Sequence, residues 1–265
     1  MPPVVLTIAG SDPSGGAGIQ ADLKTIHRHG GYGASVLTVL TMQNTQGVTR
    51  AEAVPPDVVR DQLRSVLTDL APAAVKTGAL GSAAVVREVG EVARRSEVPW
   101  VVDPVSLPSR GVPLGDGLLA EALAAELLPH ATLVTPNARE AAELAGFPVE
   151  TLADANRAAE QIAALGCRSV LVTGGHFAGD TRGTDLLWDT GRAFELPPSQ
   201  VLAGEFHGTG CALSAAIATR LARGEPLPEA VKRSKAWLES ALATAFPVGA
   251  GAKPVNHLAP LDPDA

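Results

Sequence analysis

The sequence predicts an α/β fold, with a mostly parallel central sheet, helices on both faces and an antiparallel hairpin toward the C-terminus. Three observations carry this. Short β-branched runs alternate with longer Ala/Leu-rich segments of helical period, the rhythm of a doubly wound sheet. The strand runs are mostly apolar without alternation, as expected when helices cover both faces. Late in the chain, the turn Thr190-Gly191 separates runs 184–189 and 192–196, which read as the two arms of a hairpin.

In order, strands are expected at 4–9, 35–40, 73–76, 100–103, 131–135 and 169–173. Helices are expected at 18–29, 56–70, 83–96, 116–128, 137–144, 152–165, 209–222 and 226–245. No internal repeat, low-complexity tract or linker interrupts the series, so residues 1–265 are expected to form one domain. Segment 104–115 is too rich in Pro and Gly for a regular element. It reads equally as a lid or as a long surface loop.

A chain of 265 residues, 46% hydrophobic and 18% charged, can bury a sizeable core. Its net charge is -7, it has no basic run, and its lysines are few. That argues against nucleic acid or an anionic membrane as a partner. The N-terminus lacks a basic n-region, and no stretch approaches the roughly 20 apolar residues of a membrane helix, so the expected location is cytoplasmic. Two cysteines, Cys167 and Cys211, form neither a disulfide framework nor a metal-ligand pattern. Cys167 precedes an apolar strand and reads as a packed core thiol.

In an open parallel sheet, ligands sit beyond the carboxyl ends of the strands. Gly10-Ser11-Asp12, Met42-Gln43-Asn44, Thr77-Gly78, Asp103, the stretch from Asn137 to Glu140, and Gly174-Gly175-His176 each follow or end one of the six strands. His207-Gly208-Thr209-Gly210-Cys211 runs directly into an Ala-rich helix. A helix N-terminus carries unpartnered N–H groups and the positive end of the macrodipole. Glycine there lets an anion approach the backbone. The segment reads as a phosphate cradle with a thiol at its mouth, or as an ordinary Gly-capped helix start. The glycines at 10, 15, 16 and 18 suit a backbone that closes over a flat ring or a phosphate. A dinucleotide-binding reading of this block fails, because the spacing is not G-x-G-x-x-G and no ribose-binding carboxylate follows strand two.

The chain resembles the hydroxymethylpyrimidine and hydroxymethylpyrimidine-phosphate kinases of thiamine synthesis, within the ribokinase-like superfamily. The resemblance spans Ala9-Gly-Ser-Asp-Pro-Ser-Gly-Gly-Ala-Gly-Ile-Gln-Ala-Asp22, Thr41-Met-Gln-Asn-Thr-Gln-Gly-Val48, Lys76-Thr-Gly78 and Val102-Asp-Pro-Val105. It continues through Thr135-Pro-Asn-Ala-Arg-Glu140, Thr173-Gly-Gly-His176, His207-Gly-Thr-Gly-Cys211 and Pro254-Val-Asn-His257. It implies a ribokinase-like fold that phosphorylates 4-amino-5-hydroxymethyl-2-methylpyrimidine and then its monophosphate, with ATP and Mg²⁺. The implied partners are the small pyrimidine and ATP, with a homodimer allowed.

The resemblance implies substrate contacts at Gly10, Ala17, Asp22 and Gln43. A carboxamide offers a donor and an acceptor in one plane, so Gln43 can pair twice with an aminopyrimidine edge. Read alone, Gln43 is equally a polar loop residue, and Asp22 a solvated helix-face carboxylate. Cys211, Gly208 and Gly210 are the implied catalytic group. Cys211 stands where the superfamily's sugar kinases carry an Asp base, and a helix N-terminus favours thiolate. It reads otherwise as a small thiol completing the cradle. Asn137, Thr173, Gly174 and Thr209 are implied nucleotide contacts. Asp103 and Glu140 are implied Mg²⁺ residues, acting largely through the ion's waters. Glu140 alone reads as a first-turn carboxylate.

The chain also departs from the family pattern. Ala79 stands where Met is common, Thr173 where many members have Lys, and in the 104–115 loop Arg110 is the only stand-in for a lid Lys. Two alternatives accompany the kinase reading: a pyridoxal or pyridoxine kinase, and a pyrimidine-binding protein without catalysis.

Overall fold

The computed structural model describes residues 1–105, 111–175, 177, 181–200, 202 and 204–261. The expected His176 and Arg110 positions lie outside the described residues. In chain order the elements begin with β1 (Val4–Ala9), α1 (Gly18–Arg28), β2 (Tyr32–Leu37), β3 (Val39–Asn44), β4 (Gly47–Ala53), α2 (Pro56–Asp69) and β5 (Ala74–Thr77). Next come α3 (Ala83–Ala93), β6 (Trp100–Val102), α4 (Leu119–Ala122), β7 (Leu133–Val134), α5 (Ala138–Ala145), α6 (Leu152–Ala163) and β8 (Ser169–Val172). The chain then forms β9 (Asp185–Asp189), β10 (Arg192–Leu196), β11 (Phe206–His207), α7 (Thr209–Ala222), α8 (Leu227–Ala243) and β12 (Lys253–Pro254).

One sheet of eight strands runs in the order β10-β9-β8-β7-β6-β5-β1-β2. From β2 to β8 neighbouring strands are parallel, while β9 and β10 add antiparallel at the edge. The expected hairpin is therefore the edge of the main sheet. Strand side chains alternate between two cores. Leu6, Ile8, Trp100, Val102, Val134, Val170 and Val172 pack with helices α2 to α6. Val5, Val101, Leu133 and Leu171 pack with α1, α7 and α8. All residues from Ala212 to Arg220 are buried, which explains why α7 is apolar all round rather than on one stripe.

The strand order reverses at β1: α1 carries the chain to β2 on one side, and α2 to β5 on the other. That reversal opens a crevice beyond the carboxyl ends of β1 and β5.

Two expected elements differ. The single strand at 35–40 breaks at Thr38, whose N–H donates to Ala9 O at 3.1 Å and whose Oγ1 donates to Ala79 O at 2.6 Å. The chain leaves the sheet there and forms a separate antiparallel pair, β3 with β4. Residues 41–44, expected in a loop, therefore lie on β3. The helix expected at 116–128 shortens to α4, followed by a π-type turn at Leu123–Leu127 and a 3-10 turn at Leu128–His130 that contains Pro129. Proline lacks the N–H that an α-helical turn requires.

Candidate active site

A cavity of about 650 Å³ occupies the carboxyl edge of the sheet. Of the expected site residues, Gly10, Ala17, Gln43, Asp103, Asn137, Glu140, Thr173, Gly208, Thr209, Gly210 and Cys211 line it. Asp22 and Gly174 do not. Gly174 gives its N–H to Asp185 Oδ1 at 2.8 Å, and a Cβ there would lie 1.8 Å from Thr184 O. Close backbone packing, rather than an open amide, accounts for that glycine.

Asp22 is fully buried and outside the cavity lining, not a solvated carboxylate. Its oxygens accept from Lys76 Nζ at 2.8 and 2.9 Å and from Thr7 Oγ1 at 2.6 Å. Burial pushes the Asp22 carboxyl up, while Lys76 pulls it down. A buried ion pair of this kind is costly to break from one side, since the partner is left as an unpaired charge.

β3 keeps Val39, Thr41 and Gln43 on its inward side and turns Leu40, Met42 and Asn44 to solvent. One end of the Gln43 amide lies 3.2 Å from Thr41 Oγ1, and the other 3.0 Å from His207 Nε2. His207 Nε2 also lies 2.8 Å from Asp12 Oδ2. Asp12 is buried and accepts further bonds from Ser14 N and Oγ, Gly16 N and Ala17 N. Burial opposes its ionisation, but the His207 and Ser14 bonds hold its carboxyl below the ordinary range. Asp12 and His207 were not among the expected site residues. Their signals were present: a carboxylate just after the first strand, and a histidine abutting the Gly-Thr-Gly-Cys turn.

At the opposite wall, Asn137 caps α5 by accepting from Arg139 N and Glu140 N, and Glu140 Oε2 accepts from Asn137 N at 2.9 Å. This capping box fixes Glu140 in the wall of the cavity. Burial, then the charge of Asp103, pushes Glu140 up to about 8. Burial, against the opposing pull of Lys76, pushes Asp103 up to about 6. Two crowded carboxylates in a dry wall have the hard-oxygen chemistry that Mg²⁺ takes. Among the described residues no group of three or more His, Cys, Asp or Glu could hold a metal ion alone.

Cys211 lies in the first turn of α7 and lines the cavity. Here burial works against the expected thiolate. Burial pushes the thiol up to about 12; Lys76 pulls it back, and Asp22 and Asp103 add to the rise. Desolvation in this wall outweighs the helix N-terminus, whose effect is limited to about 2 kcal/mol even in favourable geometry. Cys167 is a buried core thiol as expected, its Sγ bonded to Ile162 O at 3.4 Å.

The far end of the cavity holds a network absent from the expectations. Lys235 Nζ, from α8, donates to Asp185 Oδ2 at 2.7 Å and to Gly183 O at 2.9 Å. No local sequence pattern joins positions 185 and 235; the packing of α8 beside β9 does.

A family model described as phosphomethylpyrimidine kinase matches residues 12–256. The hydroxymethylpyrimidine/phosphomethylpyrimidine kinase of Streptomyces coelicolor is 45% identical over 256 residues, covering 97% of this chain and 94% of that protein. An ADP complex of Bacillus subtilis pyridoxal kinase superposes with a TM-score of 0.89 at 33% identity, covering 98% of both chains. The phosphomethylpyrimidine kinase of Clostridium difficile superposes with a TM-score of 0.78 at 38% identity, covering 89% of this chain and 97% of that one.

Proposed function

The chain belongs to the phosphomethylpyrimidine kinase family, and from that premise we propose that it moves the γ-phosphoryl of ATP to 4-amino-5-hydroxymethyl-2-methylpyrimidine and then to the resulting monophosphate. The product is the pyrophosphate used in thiamine synthesis. The observation that carries this reading is that Gln43 and the N-terminus of α7 face one cavity. One end suits an aminopyrimidine edge and the other a phosphoryl group in transfer. The pyridoxal kinase likeness is one of fold at 33% identity, against 45% to a pyrimidine kinase. ATP use is further supported by neighbours such as the Staphylococcus aureus pyridoxal kinase, solved with AMP-PCP and with ADP.

Phosphoryl transfer is largely positioning and charge stabilisation. Gln43 orients the ring, with Gly10 and Ala17 giving the backbone close approach. Gly208, Thr209 and Gly210, at the start of α7, offer amides that would stabilise charge on the transferring group. Asn137 and Thr173 line the same cavity and are assigned to the nucleotide. Asp103 and Glu140 would hold Mg²⁺, which supplies positive charge to the phosphates. Cys211 is assigned to the acceptor hydroxyl. Its thiol must lose a proton before it can take one, and buried Lys76 is the charge that favours that loss. Asp22 acts by holding Lys76 in place. No helix among the described residues is long and apolar enough to cross a membrane. A cytoplasmic location fits ATP as donor and two free cysteines.

The test is to incubate the protein with Mg-ATP and the pyrimidine alcohol and to identify products by mass. Monophosphate followed by diphosphorylated product is expected; unmodified alcohol contradicts the assignment.

A further inference from the structure

His207 Nε2 faces two groups at once, Asp12 Oδ2 at 2.8 Å and the Gln43 amide at 3.0 Å. A carboxylate only accepts, so the Asp12 contact requires a proton on Nε2. The three other residues that donate to Asp12, namely Ser14, Gly16 and Ala17, keep it ionised. A protonated Nε2 cannot accept from an amide NH₂. The end of Gln43 that faces His207 must therefore be its carbonyl. Carboxamide ends are alike in shape, and their partners decide which is which.

The other end of Gln43 gives the same answer. Thr41 Oγ1 has one proton, and it donates that proton to Ser11 O at 2.8 Å. Toward Gln43 it can only accept, so the NH₂ of Gln43 faces Thr41. Gly16 is what lets the imidazole reach this position, because a Cβ there would lie 2.7 Å from His207 Cδ2.

We propose that Asp12 and His207 form a positioning relay that turns the Gln43 carbonyl toward α7 and thereby sets which way round the substrate lies. This rests on the pyrimidine-kinase reading above. The free edge of Gln43 then presents its acceptor on the α7 side and its donor on the Thr41 side. An aminopyrimidine matches this in one sense only: amine toward α7, ring nitrogen toward Thr41. The hydroxymethyl arm is attached beside the amine-bearing carbon, away from that ring nitrogen. It is therefore carried toward residues 208–211. A reversed amide would turn the arm toward Ser11, away from the cradle.

The test uses the 4-oxo analogue of the pyrimidine alcohol, whose edge carries the inverted donor and acceptor pattern. The parent protein should strongly prefer the amino substrate in kcat/KM. His207→Leu frees the amide to rotate, and that preference should fall at least about tenfold. His207→Gln, which keeps an N–H at similar reach, should restore it. An unchanged preference in a folded His207→Leu protein overturns the relay. Should that variant fail to fold, ¹⁵N chemical shifts of His207 in the parent protein decide instead: a protonated Nε2 is required, and an unprotonated Nε2 overturns the proposal. A parent protein that phosphorylates neither compound refutes the pyrimidine-kinase reading itself, an outcome distinct from lost discrimination.

Discussion

Gly208 meets Gly16 backbone to backbone: a Cβ on Gly208 would stand 1.8 Å from the Gly16 carbonyl oxygen. The N-terminal glycine block and the Gly-Thr-Gly-Cys turn are thus two halves of one packed wall. Gly208 also has φ +81, the left-handed region that glycine occupies without strain.

This separates two glycines that look equivalent in the sequence. Gly208→Ala adds backbone strain to a backbone clash and should destabilise the protein by more than about 2 kcal/mol. Gly210→Ala meets only the Asp103 carboxylate, at 3.6 and 4.0 Å, and should fold with an unchanged or raised Tm. Its methyl group would crowd the space between α7 and Asp103, so kcat should drop at least about tenfold. Thermal melts and steady-state kinetics of both variants check this. Equal Tm losses would refute the distinction.

For Cys211, the thiol pushed up to about 12 predicts slow alkylation by iodoacetamide at neutral pH. The rate should climb about tenfold per pH unit up to the highest pH at which the protein remains folded. Cys167 should be slower still, being buried in the core. A rate plateau near neutral pH, tracked by mass at each cysteine, would restore the resting thiolate.

Gln43→Ala should weaken binding of the pyrimidine alcohol while leaving ATP affinity nearly unchanged. Ring groups left unpaired in the site cost about 1–3 kcal/mol, or roughly 5- to 150-fold in Kd. Calorimetric titration of each ligand separates the two. Equal weakening for ATP would mean that Gln43 supports the wall rather than reads the ring.

His29 is buried against Trp237, with ring centroids 4.6 Å apart, and its Nδ1–H donates to Thr25 O at 2.9 Å. Burial, reinforced by the charges of Arg220, Arg28 and Arg223, lowers it from 6.5 to about 4. As pH falls, the unfolded chain binds this proton first, so stability is lost progressively between those two values. Between about pH 7.5 and 5 the loss from this residue is about 2 kcal/mol. His29→Phe, which keeps an aromatic edge on Trp237, should remove that share of the acid destabilisation. Denaturant melts at the two pH values measure it, and an equal loss in the variant contradicts the assignment.

Strand–helix rhythm made the sheet legible, because each covered strand is a continuous apolar run and each connection ends in a polar residue at the ligand edge. It could not show the break at Thr38. Ser-Val-Leu-Thr-Val-Leu is β-forming throughout, and only the pull of Ala9 and Ala79 on Thr38 divides it. Site residues that follow strands were visible for the same reason. Asp22 was misplaced because its partner, Lys76, is 54 residues away, and only the fold converts a helix-face carboxylate into a buried one. The surroundings of Cys211 were hidden likewise: a helix start is local, whereas Lys76, Asp22 and Asp103, which act on the thiol, come from other parts of the chain.

Direct competition tests the central claim, that one cavity reads an aminopyrimidine edge and delivers its hydroxymethyl arm to α7. The protein is given limiting Mg-ATP with equal amounts of the pyrimidine alcohol and pyridoxal, and products are counted by mass. Phosphate should go chiefly to the pyrimidine, with a diphosphorylated product following. Preferential phosphorylation of pyridoxal would contradict the account.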